Sequence, residues 1–255
     1  MQINFFEEYP TTANMSKLDL IDWPSILLVA APSLFEFENI CKKYANKYPH
    51  ITFGWWPTIP DSYWVSGLAN PQDLKLLFKQ LTLKINTKTL PVLIDFELPI
   101  KKHLYLKNIL HIRQNKQIIS NFFADSNIYN LKIYTAEYPS INKSMHFLWR
   151  TLGLSPPFSS GHTKIPMCYS SMKPNRYGDV LWNRVKIFQN KLAQKYPNRI
   201  SFGLGLIANG VYEDEPILTT EKLRLDIEWA RNCNISEIFI FRLGGMSEQY
   251  VEILK

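Results

Sequence analysis

A chain of 255 residues with 46% hydrophobic and 14% aromatic content can bury a large core, and its length suits one barrel domain as readily as two small ones. Its 29 Lys and Arg against 22 Asp and Glu give a net charge of +7, but the basic residues are spread along stretches such as CKKYANKYP and KNILHIRQNK without a dense run, so no nucleic-acid groove is expected. No segment approaches the roughly 20 apolar residues of a membrane span, and no basic-then-apolar leader opens the chain, so the expectation is a soluble, cytoplasmic protein with no membrane partner.

Strand-like and helix-like stretches alternate from the start. INFFEEY (3–9) reads as strand and TTANMSKLDLID as helix; SILLVAA (25–31) precedes SLFEFENICKKYANKY; ITFGWW (51–56) leads through a loop to PQDLKLLFKQLTLK. VLIDFEL (92–98) is followed by HLYLKNILHIRQNKQIISNFF, LKIYTAEY (131–138) by NKSMHFLWRTLGL, and KIPMCYS (164–170) by GDVLWNRVKIFQNKLAQKY. RISFGLGLIA (199–208) precedes TTEKLRLDIEWARNCN, and SEIFIFRL (236–243) precedes the short SEQYVEILK.

Eight such alternations without a composition shift or long linker predict an α/β fold, a single (β/α)₈ TIM barrel occupying residues 1–255 as one domain. The seventh strand supports this, because Ser201, Gly203 and Gly205 share one parity and small inward residues suit a barrel interior. An open doubly wound sheet would carry a Gly-rich turn after its first strand, where this chain has Glu7, Glu8, Tyr9 and Pro10.

The chemistry of a barrel gathers where strands end and loops begin. In LPVLIDFELP (90–99) an apolar run ends in Asp95 and Glu97, two apart and therefore on one face. Other strands end in Glu7 and Glu8, Trp55 and Trp56, Glu137 and Tyr138, Tyr169, Asn209 and Arg242. Glu7 and Glu8 are adjacent, so only one points inward, and parity leaves the choice open. Arg242, expected to point inward beside Ile238 and Ile240, is either a counter-ion for these acids or a substrate contact. Glu213, Asp214 and Glu215 read as a solvated loop.

Carboxylates that accept hydroxyl hydrogen bonds, beside aromatic rings that stack on sugar C–H surfaces, suit a neutral polyhydroxylated ligand, either a small molecule or an oligosaccharide. Crowded acids raise one another's pKa, which keeps one protonated near neutrality; Glu97 is the expected general acid, with Asp95 beside it. Glu7, Glu8, Trp55, Trp56, Glu137, Asn209 and Arg242 are the expected substrate-binding set.

His50, His103, His111, His146 and His162 are scattered, and Cys41, Cys168 and Cys233 are odd in number without metal-ligand spacing. No metal, cofactor or disulfide framework is therefore expected. Two other readings remain open: a phosphosugar isomerase or aldolase-type barrel using Gly244 and Gly245 as a phosphate turn, and a non-catalytic carbohydrate- or protein-binding barrel. Oligomeric state is not legible.

The segment LIDFE resembles the end of the Asp-x-x-Asp-x-Asp-x-Glu signature of family 18 glycoside hydrolases, the chitinase-like barrels, with Asp95 and Glu97 on its last two acidic positions. Met167, Cys168 and Tyr169 match that family's Met-x-Tyr on the sixth strand. The resemblance implies a substrate-assisted mechanism in which Glu97 protonates the glycosidic oxygen, Asp95 steadies the substrate's acetamido group and Tyr169 hydrogen-bonds it. Leu90 and Leu93 occupy the signature's first two acidic positions, and no tryptophan is evident at the end of the eighth strand.

Overall fold

The computed structural model describes all residues except 61, 84–88, 102, 126–130, 159–160, 173–177 and 212–213. The strands are β1 (Gln2–Glu7), β2 (Ser25–Ala31), β3 (Ile51–Pro57), β4 (Leu90–Phe96), β5 (Leu131–Glu137), β6 (Thr163–Pro166), β7 (Phe202–Gly205) and β8 (Glu237–Phe241). Between and after them come α1 (Thr12–Met15), α2 (Leu34–Tyr44), α3 (Pro71–Leu83), α4 (His103–Asn108), α5 (Ile112–Asp125), α6 (Lys143–Thr151), α7 (Gly178–Lys195), α8 (Thr220–Asn232) and α9 (Glu248–Leu254).

The strands pair in parallel, in the order β6-β5-β4-β3-β2-β1-β8-β7. Bridges from Lys164 to Ile200 and from Met167 to Gly203 join β6 to β7 and close the ring. This is the expected (β/α)₈ barrel.

Local chemistry starts the helices where the sequence pattern places them. The side chains of Ser33, Asn142 and Thr219 accept hydrogen bonds from the backbone N–H groups of Glu36, Met145 and Lys222, occupying donors that the first turns of α2, α6 and α8 leave free. The first predicted helix is shorter than its pattern: α1 has four residues and passes into a 3₁₀ turn over Ser16–Leu20. Ser16 Oγ donates to Ala13 O at 2.8 Å, a local bond that competes with helix propagation. The predicted 103–123 helix is likewise divided by a 3₁₀ turn over Ile109–His111.

Two apolar layers sit on opposite faces of the strands. Ile3, Phe5, Leu27, Val29, Phe53, Trp55, Val92, Ile94 and Phe96 point outward and pack with the helices, whereas Phe6, Ile26, Leu28, Trp56, Leu93, Tyr134, Ile165, Phe239 and Phe241 fill the barrel. Both faces of each strand are buried, as a closed parallel sheet requires. Gly203, on the predicted small-residue parity of β7, leaves room for Ile165, whose Cγ2 lies 3.3 Å from where a Cβ would stand.

At the amino-terminal end of the barrel, Glu237 accepts hydrogen bonds from Asn4 Nδ2 at 3.3 Å and Tyr134 Oη at 3.1 Å, with Lys132 Nζ 3.7 Å away. At the opposite end the β3–α3 loop folds over the mouth. Val65 N–H donates to Asp95 O at 2.8 Å, and Asn115 Nδ2 donates to Gly67 O and Ala69 O at 2.9 and 2.7 Å, fixing the loop to β4 and α5. No helix among the described residues is long and apolar enough to cross a membrane.

Candidate active site

A cavity of about 300 Å³ opens at the carboxyl ends of the strands. Phe6, Trp56, Leu93, Leu206 and Phe241 form an apolar base, and Trp64 and Trp182 add aromatic surface. Four carboxylic acids (Glu8, Asp95, Glu97 and Glu215) line it together with Tyr138 and Tyr169. No Lys, Arg or His is among the described residues lining it.

Strand parity explains the set. Asp95 and Glu97 follow Leu93 on the inward face of β4, and the register sets Asp95 beside Ala136, so Tyr138, two residues further on, also faces inward. Asp95 is 4% exposed, and its Oδ1 has no hydrogen-bond partner. The apolar Leu93 below it offers none. Burial and repulsion from Glu97 and Glu8 hold the Asp95 carboxyl well above its ordinary range.

Burial likewise pushes Glu97 up to about 8; a hydrogen bond from Tyr138 Oη to Glu97 Oε2 at 3.1 Å works against this, and the nearby Glu8 and Glu215 reinforce it. Glu8 rises to about 7, mainly through burial. Its partner Tyr63 is held at φ 66°, a left-handed backbone that side chains bearing a Cβ rarely adopt, and donates to the Glu8 carboxyl. Tyr169 is raised by burial and by the field of Glu97, Asp95, Glu215 and Glu8, which it faces.

Of the ten residues expected at the mouth, the cavity brings together Glu8, Trp56, Asp95, Glu97 and Tyr169. Glu7 is turned outward: it pairs with Arg242 Nη1 at 3.0 Å and accepts from Gly244 N at 2.7 Å, Tyr9 N at 2.8 Å and Asn14 Nδ2 at 3.1 Å. Arg242 also donates through Nε to Asn209 O at 2.7 Å, so of its two expected roles the contacts are those of a counter-ion. Asn209 enters the arrangement through that carbonyl and is not among the lining residues.

Trp55 points into the helix layer, where it stacks on Phe37 at 6.4 Å and donates to Ala31 O at 2.9 Å. Glu137 is a buried ion-pair partner of Lys164 at 2.7 Å and accepts from Ser155 Oγ and Thr135 Oγ1. For Glu7, Trp55, Glu137 and Arg242 the reason is common: each is one residue out of step with the inward parity of its strand.

Glu215, read from sequence as part of a solvated loop, is half-buried and lines the cavity, its carboxylate accepting from Gly210 N. Glu213 lies outside the described residues. Tyr138, Trp182 and Phe241 are among the lining residues beyond the expected set. Parity counted from Asp95 across the β4–β5 register identifies Tyr138; Trp182, on α7, carries no signal that separates it from ordinary helix packing. Among the described residues no cluster of His, Cys, Asp and Glu could hold a metal ion.

Solved structures share this architecture at low sequence identity. The C-terminal domain of a chitinase candidate from Desulfitobacterium hafniense DCB-2 superposes with a TM-score of 0.62 at 9% identity, over 99% of this chain and 97% of that one. A Bacteroidetes-affiliated GH5 cellulase gives 0.56 at 11%, over 100% and 90%, and a chitinase from Chromobacterium violaceum ATCC 12472 gives 0.53 at 10%, over 99% and 97%. The fold is that of these glycoside-hydrolase barrels. No family model matches the sequence, and no curated protein matches it.

Proposed function

We propose that the protein binds a carbohydrate in the strand-end cavity and hydrolyses a glycosidic bond, with Glu97 as the general acid. The observation that carries this reading is a carboxyl raised to about 8 inside a cavity lined by aromatic rings. Such an acid still holds its proton at pH 7 and can deliver it to a leaving-group oxygen. Trp56, Trp64, Trp182 and Phe241 supply the faces on which sugar C–H surfaces stack.

The likeness of LIDFE and Met-Cys-Tyr to family 18 supports a substrate-assisted course. Glu97 protonates the glycosidic oxygen as the bond to the leaving group breaks, and the substrate's own acetamido oxygen attacks the anomeric carbon. Asp95 steadies that acetamido group and Tyr169 donates to it. Water then opens the cyclic intermediate and returns the proton to Glu97.

The phosphosugar reading finds less support. An anionic group entering the cavity meets four acids and no cation among the described lining residues, and the Gly244 N–H already donates to Glu7. Gly245 packs against the neighbouring loop, since a Cβ there would stand 2.0 Å from Ile207 O.

The test is turnover of fluorogenic N-acetylglucosamine oligosaccharides by the wild type, Glu97→Gln and Tyr169→Phe. Loss of the proton donor lowers kcat about 10²- to 10⁴-fold, with binding of the uncleaved oligosaccharide retained. Tyr169→Phe is expected to cost about tenfold, the worth of one hydrogen bond to a charged or developing-charge group. Full activity in Glu97→Gln removes that residue from the mechanism. Wild-type binding without product identifies a non-catalytic carbohydrate-binding barrel.

A further inference from the structure

The four cavity acids are not equivalent. Asp95 and Glu97 belong to β4, whereas Glu8 from the end of β1 and Glu215 from the β7–α8 loop meet above Gly210. A Cβ on Gly210 would stand 2.9 Å from Glu8 Oε2 and 3.1 Å from Glu215 Oε2, so both oxygens converge on the space a glycine leaves open. Glu8 is 5% exposed, and its Oε2 has no hydrogen-bond partner; Trp56 Nε1, another lining group, is also buried and unpaired.

Buried polar atoms are almost always hydrogen-bonded, so an unpaired acceptor and an unpaired donor on two residues that line one cavity are groups that a ligand would satisfy. Arg242 reaches the two carboxyls only through its field, since its hydrogen bonds go to Glu7 and Asn209 O. Two convergent carboxyls with no cation hydrogen-bonded to them among the described residues set a field that favours a positive group on the ligand.

Building on the proposed carbohydrate site, we infer that Glu8 and Glu215 form a subsite for the ammonium of an amino sugar whose nitrogen is not acetylated, with the Trp56 indole N–H donating to a hydroxyl of the same or the adjoining ring. The ligand class is then a partly de-N-acetylated amino-sugar oligomer: an acetylated unit at Asp95 and Glu97, a free amine at Glu8 and Glu215. A charge-assisted pair of this kind is roughly twice as strong as a neutral hydrogen bond.

Calorimetric binding in the Glu97→Gln background, where turnover cannot confuse the readout, tests the assignment. The probes are a fully N-acetylated glucosamine tetramer, a tetramer with one or two free amines, and calcium chloride as a bare cation. The free-amine tetramer is expected to bind about tenfold more tightly than the acetylated one, with the advantage lost on adding Glu215→Gln or Glu8→Gln and, in Glu215→Gln, the affinity for the acetylated tetramer kept within about twofold. Thermal midpoints check that both variants fold, and Glu215, on a half-exposed loop, is the safer of the two.

Equal affinity for the two tetramers, or an advantage that survives both substitutions, overturns the subsite while leaving the carbohydrate reading intact. Binding of calcium that is lost in Glu8→Gln also overturns it, in favour of a metal site. Failure of both tetramers to bind, by contrast, removes the carbohydrate reading itself.

Discussion

The two faces of the strand ends carry the same residue types in opposite states. Outward, Glu7 is matched by Arg242 and by three further donors, and Glu137 by Lys164, Ser155 and Thr135. Inward, Glu8 and Asp95 each keep an oxygen without a partner, and Glu97 has one tyrosine hydroxyl. Glu7 and Glu8 are neighbours in sequence, yet one completes a structural network and the other lines a cavity. Buried charge that is fully paired is architecture; buried acid left unpaired around a hollow stores electrostatic cost, and such cost is tolerated where chemistry is performed.

The outward state breaks most dramatically. Lys164 is 2% exposed and bonds Glu137 through both carboxylate oxygens, at 2.7 and 2.9 Å, as well as Ser155 Oγ and Pro156 O. Lys164→Ala strands the Glu137 carboxylate and is expected to cost about 3 to 5 kcal/mol, read as a fall of roughly 10 °C in melting temperature. Replacing the pair together, Lys164→Met with Glu137→Leu, is expected to recover most of that loss because no charge remains buried. Equal destabilisation by the single and double variants would contradict the paired reading.

A smaller effect of opposite sign is expected on the inward face. The folded protein raises Glu97 from 4.5 to about 8, so its carboxyl binds a proton more tightly folded than unfolded. Its favourable contribution is complete below about pH 4.5 and fades as the pH rises through 8. Glu97→Gln keeps a neutral side chain throughout and is therefore expected to gain stability on the order of 3 kcal/mol over wild type at pH 9, and to match it at pH 4.5. Thermal melts at the two pH values decide this, and a Glu97→Gln variant less stable than wild type at pH 9 would show the carboxylate to be well paired.

The contrast also explains what could be read from the residues alone. Eight alternating patterns gave the barrel, since each strand is a short apolar run followed by a helix-like stretch, and α2, α6 and α8 carry start signals of their own. Asp95 and Glu97 stood out because two ionisable groups at the same parity interrupt an apolar run. Inside and outside were harder to separate, because Ile238, Phe239, Ile240 and Phe241 are all buried and no polar alternation marks which of them faces the interior. Trp55 and Trp56, or Glu137 and Tyr138, therefore looked equivalent until the register was fixed. Glu215 sits in a run of acids whose composition is that of a solvated loop, and only the fold returns it to the cavity.

The most direct test of the distinction between the two faces is a carboxyl-carbon NMR titration of the intact protein, with Glu97 and Glu8 assigned through their Gln variants. The account predicts that Glu97 titrates near 8 and Glu8 near 7, each keeping its proton well above the ordinary carboxyl range. Titration of both near 4.5 would contradict it and leave the cavity without a general acid at neutral pH.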